Sequence, residues 1–199
     1  MGPEYVEVKK EDFHKYADRG IQAGHCMLYA RLPGHEFEGC DLRAAVLMQM
    51  RFDGHLGFPG GIIEPGEEVL LGLIREMVEE INFDSDKIML SEHNHVVTHW
   101  NPKGKILLHF YALEVTEEQI RTIEHRALDS IDFGEEVMGM FRVPLYTMSD
   151  GCRGFPTFIK HSFVGSAYAQ LRRGLLHAGI MSEDEIKAAE AVSCTGKSL

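Results

Sequence analysis

The sequence predicts an α/β domain in which helices cover a mixed sheet, and three observations carry that expectation. Strand-like and helix-like segments alternate along all 199 residues. Two apolar runs, residues 26–30 (CMLYA) and 44–50 (AAVLMQM), lack polar alternation, as strands buried on both faces do. Turn signals punctuate the chain at Asp53-Gly54, Pro59-Gly60-Gly61 and Asn101-Pro102-Lys103-Gly104.

The elements follow in order. Between the first two strands, RLPGHEFEGCD has loop composition. Asp53-Gly54 predicts a hairpin and Pro59-Gly60-Gly61 a second reversal, after which residues 67–81 read as a helix. Residues 96–100 and 106–115 read as two strands. Thr116 with Gln119 resembles a capping box, opening an amphipathic helix to about Leu128. A strand is expected over 137–146, with Pro144 near its end. A helix is expected over 162–178, where Phe163, Ala167, Gln170, Leu171, Leu175 and Ala178 recur at helical spacing. Ser182 caps a last short helix. One domain over 21–192 results, with an N-terminal extension (1–20) and a loose tail (193–199).

Composition removes several function classes. No apolar stretch of about eighteen residues is present, so nothing reads as membrane-spanning, and the N-terminus lacks a secretory layout. The chain is expected inside the cell. Cys26, Cys40, Cys152 and Cys194 are scattered without a Cys-x-x-Cys pair, which predicts free thiols rather than a zinc knuckle or disulfide framework. A net charge of −11 weighs against nonspecific nucleic-acid binding, which depends on phosphate neutralisation. A local basic track near Arg153, Lys160, Arg172 and Arg173 is the place for a polyanion.

The densest chemistry lies on the helix over 67–81. Residues advance about 100° each, so Glu76 and Glu80 stack one turn apart with Glu79 beside them. Like charges so close raise one another's pKa, and the set stays ionised only with a cation among it. Clustered oxygens suit a hard divalent ion such as Mg2+ or Mn2+. An acidic helix face is by default simply solvated. Here Arg75 adjoins the acids, and Glu67, eight residues earlier, lies on roughly the same side, where the two pair as a brace. Elsewhere, His93, His95 and His99 would share a face with Val97 on a regular strand, which makes a three-histidine zinc site conceivable, with His99 the better single candidate. Glu136 reads alone as a loop acid, His25 and Phe58 as core residues, and Gln170 as a polar residue on a helix face.

Gly61, Glu67, Arg75, Glu76, Met77, Glu79, Glu80 and Phe83 stand at the spacings of the Nudix hydrolase signature, and the chain resembles that family. One position departs: Asn82 replaces the usual glycine, and Asn tolerates the left-handed conformation of a helix-ending cap. The resemblance implies a Nudix α/β/α sandwich with a mixed sheet. The segments GHCMLYA, AAVLMQMRFDGHLGFPGG, HFYA, GEEVMGMFRVPLYTMSDG and GFPTFIKHSFVGSAYAQL are similar to the Nudix-type motif 16 subfamily, the snoRNA-decapping and inosine-diphosphatase branch. That similarity implies that His25, Arg51, Phe58 and Gln170 touch a nucleotide. It implies that the Gly60 carbonyl, Glu76, Glu80 and His99 help hold Mg2+ or Mn2+, with Glu79 and Glu136 completing the acidic set. It further implies purine nucleoside diphosphates or capped RNA as substrates, a homodimer, and residence in nucleus and cytoplasm. The box alone also fits an ADP-ribose or sugar-nucleotide pyrophosphatase. A noncatalytic binding protein like syndesmos, which lacks the catalytic glutamates, is the rival of a different class.

Overall fold

The computed structural model describes residues 5–17 and 20–192. In chain order the elements are β1 (Val6–Val8), α1 (His14–Ala17), β2 (Ile21–Arg31), β3 (Glu36–Phe37), β4 (Cys40–Asp41), β5 (Ala44–Arg51), β6 (Leu56–Gly57) and β7 (Ile62–Ile63). There follow α2 (Val69–Ile81), β8 (His95–Asn101), β9 (Ile106–Glu114), α3 (Glu117–Arg126), β10 (Val137–Arg142), α4 (Phe155–Phe158), α5 (Ala167–His177) and α6 (Glu183–Ala191). The main sheet runs β1-β8-β9-β2-β5-β10, with β6 on β5 and β7 on β2. It is mixed: β2 and β9 are parallel from Ile21 opposite Ile106 to Tyr29 opposite Glu114, and the other pairs are antiparallel.

Two cores sandwich this sheet. On one face Met27, Val46, Met48, Phe58 and Phe110 pack with Phe155, Leu171, Leu175 and Ile186 from α4, α5 and α6. On the other, Cys26, Leu28, Leu47 and Tyr111 pack with Leu73, Met77 and Ile81 of α2 and with Ile120 and Ile123 of α3. The alternation along β2 and β5 explains why both runs are apolar throughout: each consecutive side chain enters one core or the other. Leu73, Met77 and Ile81 are fully buried at helical spacing, and each contributes about 1.5–3 kcal/mol by leaving water. That stripe fixes how far α2 is rotated, and therefore where its glutamates point.

The α2 cap forms at Asn82, whose φ is 51°; its N–H reaches the Val78 carbonyl and the Phe83 N–H reaches Met77. The Thr116 capping box is present in both directions. Two elements are shorter than their periodicity predicts. β10 stops at Arg142, since Pro144 has no N–H to continue the ladder. α5 begins at Ala167 rather than 162, because Gly165 sits at φ +50° and Val164 is instead tied by its N–H to the Leu56 carbonyl.

The histidine face does not form. A bulge between His95 and Val97 turns His95 towards Tyr111, where its Nε2 meets Thr98 Oγ1 at 2.8 Å, while Val97 enters the opposite core. His93 lies in a 3-10 turn before the strand. Cys26 and Cys40 are free thiols, whereas Cys152 is disulfide-bonded, which corrects the expectation there. Cys194 and the tail 193–199 lie outside the described residues. Among the described residues no helix is long and apolar enough to cross a membrane.

Candidate active site

A chain reversal positions the acids. At Pro59-Gly60-Gly61 the Pro59 and Gly61 carbonyls accept the N–H groups of Cys26 and Gly24, which lays the turn flat against β2. Gly60 has φ +125°, and a Cβ there would stand 2.1 Å from the Gly24 carbonyl oxygen. Only glycine fits. Its N–H then donates to Glu80 Oε2 at 2.6 Å, and Gln49 Nε2 donates to Glu80 Oε1 at 3.0 Å. Among the described residues the Gly60 carbonyl itself accepts no hydrogen bond.

Glu80 is 3% exposed. Burial pushes its pKa up to about 8, against the lowering effect of its two donors and with a further push from Glu76. The Glu76 carboxyl is raised chiefly by burial, with Glu79 and Glu136 adding repulsion and Arg75 opposing it. Arg75 grips the outer side of the set. Its guanidinium meets Glu67 at 3.2 and 3.1 Å, Glu76 at 2.7 Å, Glu79 at 3.1 Å and the Ile62 carbonyl at 3.1 Å. Hydrogen bonds from Arg75 first, then from the Glu64 N–H, hold Glu67 below the usual carboxylate range.

The loop before β10 closes the other side. Ser130 Oγ donates to the Glu80 carbonyl, the Asp132 N–H to the Glu79 carbonyl, and the Phe52 N–H to the Glu136 carbonyl. Glu136 is thereby brought opposite Glu76. Arg51 arrives on the β5–β6 hairpin, whose turn is the expected Asp53-Gly54; it pairs with Asp53 at 3.3 Å and lies 5.3 Å from the Phe52 ring.

These groups share one cavity of about 410 Å³. Gly60, Glu76, Glu80 and Glu136 line it together with His25, Arg51, Phe58 and Gln170. Two of the latter carry buried polar atoms, His25 Nδ1 and Gln170 Nε2, that have no hydrogen-bond partner among the described residues. Burial, with the Arg51 charge nearby, drops the His25 pKa to about 4, so its ring is neutral at pH 7. Glu79 is outside the cavity wall and held by Arg75. His99 is not brought there either; it is 7% exposed between Glu7 and Arg173, one strand beyond the cavity wall at Leu108.

Sequence reasoning missed Gln49 and Tyr5, and gave Gly61 only as a turn and signature position. A lone amide in the apolar run AAVLMQM was the available signal for Gln49. Gly61 is required because a Cβ there would lie 2.2 Å from Glu76 Oε2. Tyr5 also lines the cavity, from the residue before β1, a strand too short to have a pattern.

Residues 22–181 match the family described as Nudt16-like, U8 snoRNA-decapping enzyme-like. The chain belongs to the Nudt16-like family. A U8 snoRNA-decapping enzyme of Homalodisca vitripennis is 50% identical to this Nudt16-like chain over 158 residues, covering 78% of it and 84% of the relative. A Tudor-interacting repair regulator protein of Homo sapiens is 35% identical over 198 residues, covering 96% of the chain and 90% of the relative. The solved structure of a mutT/nudix family protein from Listeria innocua superposes with a TM-score of 0.54 at 15% identity, covering 80% of this chain and 94% of that one. That likeness concerns the fold, and it agrees with the α/β/α sandwich. This Nudt16-like chain is a Nudix hydrolase.

The residues present fit the divalent ion that Nudix chemistry uses. Among the described residues no ready-made cage of three ligands stands assembled, because Arg75, Gly60 and Gln49 hold the carboxylates. Yet Glu76, Glu80, Glu136 and the unengaged Gly60 carbonyl border one cavity. Two of those acids have pKa values raised by burial and mutual repulsion, a cost that a cation would relieve.

Proposed function

We propose that this hydrolase cleaves the diphosphate linkage of purine nucleotides with Mg2+ or Mn2+, taking inosine and deoxyinosine diphosphates or the capped 5′ end of RNA. One observation carries the reading. A single cavity is lined by carboxylates and also by residues whose buried hydrogen-bonding atoms, His25 Nδ1 and Gln170 Nε2, have no partner among the described residues. The carboxylates suit a metal-bound diphosphate and the two unpaired atoms the edge of a base.

Glu76, Glu80 and the Gly60 carbonyl are the residues that would hold the ion, with Glu79 released to them when Arg75 swings aside. Bound there, a divalent ion supplies charge neutralisation of the phosphates and an acidified water. The protein does the rest. Glu136, solvent-exposed at the cavity rim, accepts a proton from the attacking water, and Glu79 or Glu80 shares that role if ionised. Arg51 offers its planar fork to a phosphate oxygen, exchanging its Asp53 contact for it. Neutral His25 and Gln170 orient the base. Like Glu79, His99 does not line this cavity, and holding the ion would require it to move.

The name shared by the 50% identical relative supports the decapping substrate. The structure weakens the expected basic track for a long RNA. Arg153 pairs with Asp150, Arg172 with Glu183 and Arg173 with Glu7, while Lys160 donates to the Glu190 carbonyl. Recognition is therefore assigned to the capped end. Homodimerisation, nuclear residence and RNA binding rest on the family resemblance. The 35% identity to a repair regulator across nearly the whole chain keeps a partner-binding role in view beside catalysis. The deciding experiment is a product screen with inosine diphosphate, ADP-ribose and capped RNA, each with and without Mg2+. Metal-dependent release of inosine monophosphate or a cap nucleotide supports the proposal; turnover of ADP-ribose alone overturns it.

A further inference from the structure

Two aromatic side chains line the cavity, and only one has a face to offer. Phe58 is 2% exposed, with its ring 5.1 Å from that of Phe110, so it belongs to the core and presents little to a ligand. Tyr5 is partly exposed and makes no ring contact with another aromatic among the described residues. Its hydroxyl would lie 3.2 Å from a Cβ at Gly165, which places the ring along the backbone leading into α5, the helix that bears Gln170.

The position of Tyr5 is set by its neighbours. β1 adds to the sheet edge with Val6 opposite Trp100 and Glu7 opposite His99, and Glu7 reaches across to Arg173 of α5 at 3.0 Å. Strand and helix are thus tied two residues from Tyr5 on one side and three from Gln170 on the other. The wall so made adjoins the apolar strip of Ala23, Ile106 and Leu108. A flat heteroaromatic ring whose edge meets Gln170 Nε2 and His25 Nδ1 would have its face against this wall.

We infer that Tyr5 is a substrate-positioning residue whose ring stacks on the nucleobase, so that the segment before β2 completes the base pocket. The inference rests on the nucleotide reading of the same cavity. It differs from that reading in assigning base affinity to the residue preceding β1 rather than to Phe58.

The test uses the full chain with Mg2+ and measures affinity for inosine 5′-monophosphate and for inorganic pyrophosphate by calorimetry. Tyr5→Ala should weaken the monophosphate by about 5- to 150-fold, the range for loss of a base–aromatic stack, and leave pyrophosphate within about twofold. Tyr5→Phe should restore the monophosphate. In turnover the Ala variant should raise KM by the same factor with kcat little changed. Equal affinity of Tyr5→Ala and wild type for the monophosphate, or failure of Phe to restore it, overturns the inference, as does a wild type that binds no monophosphate. Weakening of both ligands points to a disturbed fold and also overturns it. Wild-type binding of the monophosphate without hydrolysis of any diphosphate would remove the proposed reaction and leave the Tyr5 assignment standing.

Discussion

The backbone N–H of Gly60 donates to Glu80 Oε2 at 2.6 Å, joining the turn before the α2 helix to an acid near its end. That bond crosses the floor of the cavity. It holds a carboxyl group in a nearly water-free position, 3% exposed, where ionisation is unfavourable until a positive charge arrives.

A pH dependence of stability follows. The folded pKa of Glu80, about 8, stands above the ordinary glutamate value of 4.5. Its stabilising contribution is therefore complete below pH 4.5 and is lost as pH rises through about 8. The loss is on the order of 5 kcal/mol at its fullest. Metal-free protein should melt at a lower temperature at pH 8.5 than at pH 6, and Mg2+ should restore more at the higher pH. Glu80→Gln should flatten both effects. Melting curves at the two pH values, with and without metal, check this.

Adjacent glycines should respond differently. Gly60→Ala forces a Cβ to 2.1 Å from a backbone oxygen at φ +125°, and should cost about 3 kcal/mol or more. Gly61→Ala meets the movable end of Glu76 at 2.2 Å. It should unfold within about 1 kcal/mol of wild type and lose metal-dependent turnover, because the acid is displaced. Urea unfolding and a phosphate-release assay separate the two.

Gln49 is 1% exposed and donates to Glu80 Oε1. Gln49→Leu leaves that oxygen without its side-chain donor, and should lower stability by about 1–3 kcal/mol. Denaturant midpoints read it directly.

Much of this site is legible in the sequence because it is local. The glycine turn, the acid spacing on α2 and the Asn82 cap lie within a few turns of one another, and helical geometry alone groups Glu76, Glu79 and Glu80. What the pattern could not show is long-range. A bulge has no residue signature, so His95 and His99 read as sharing a face that the register between β8 and β9 denies them. The acids that neutralise Arg172 and Arg173 come from other elements, Glu183 of α6 and Glu7 of β1, the latter near the opposite end of the chain. Tyr5 reaches the cavity only because a three-residue strand finds the free edge of β8.

The neutralised basic track has its own consequence. Few cations are available for phosphate contacts, so binding of capped RNA should depend only shallowly on salt, with a log–log slope smaller than about 2 in magnitude. Fluorescence anisotropy between 50 and 200 mM salt (roughly the range over which such slopes are read) measures it. Removing the cap should abolish binding rather than weaken it slightly.

The proposed base recognition through His25 would use a neutral ring, since its pKa of about 4 keeps it uncharged at ordinary pH. Affinity for inosine monophosphate should stay level from pH 6 to 8, to the extent that His25 controls it, and His25→Ala should reduce it about tenfold. Calorimetry at two pH values tests both statements.

The account turns on Glu80, and the most direct measurement is Mg2+-dependent hydrolysis of inosine diphosphate by Glu80→Gln beside wild type. A folded variant with turnover reduced at least about a thousandfold is the predicted result, in line with loss of a group that supports the metal. A folded variant that hydrolyses the substrate at a near-normal rate with Mg2+ would contradict it.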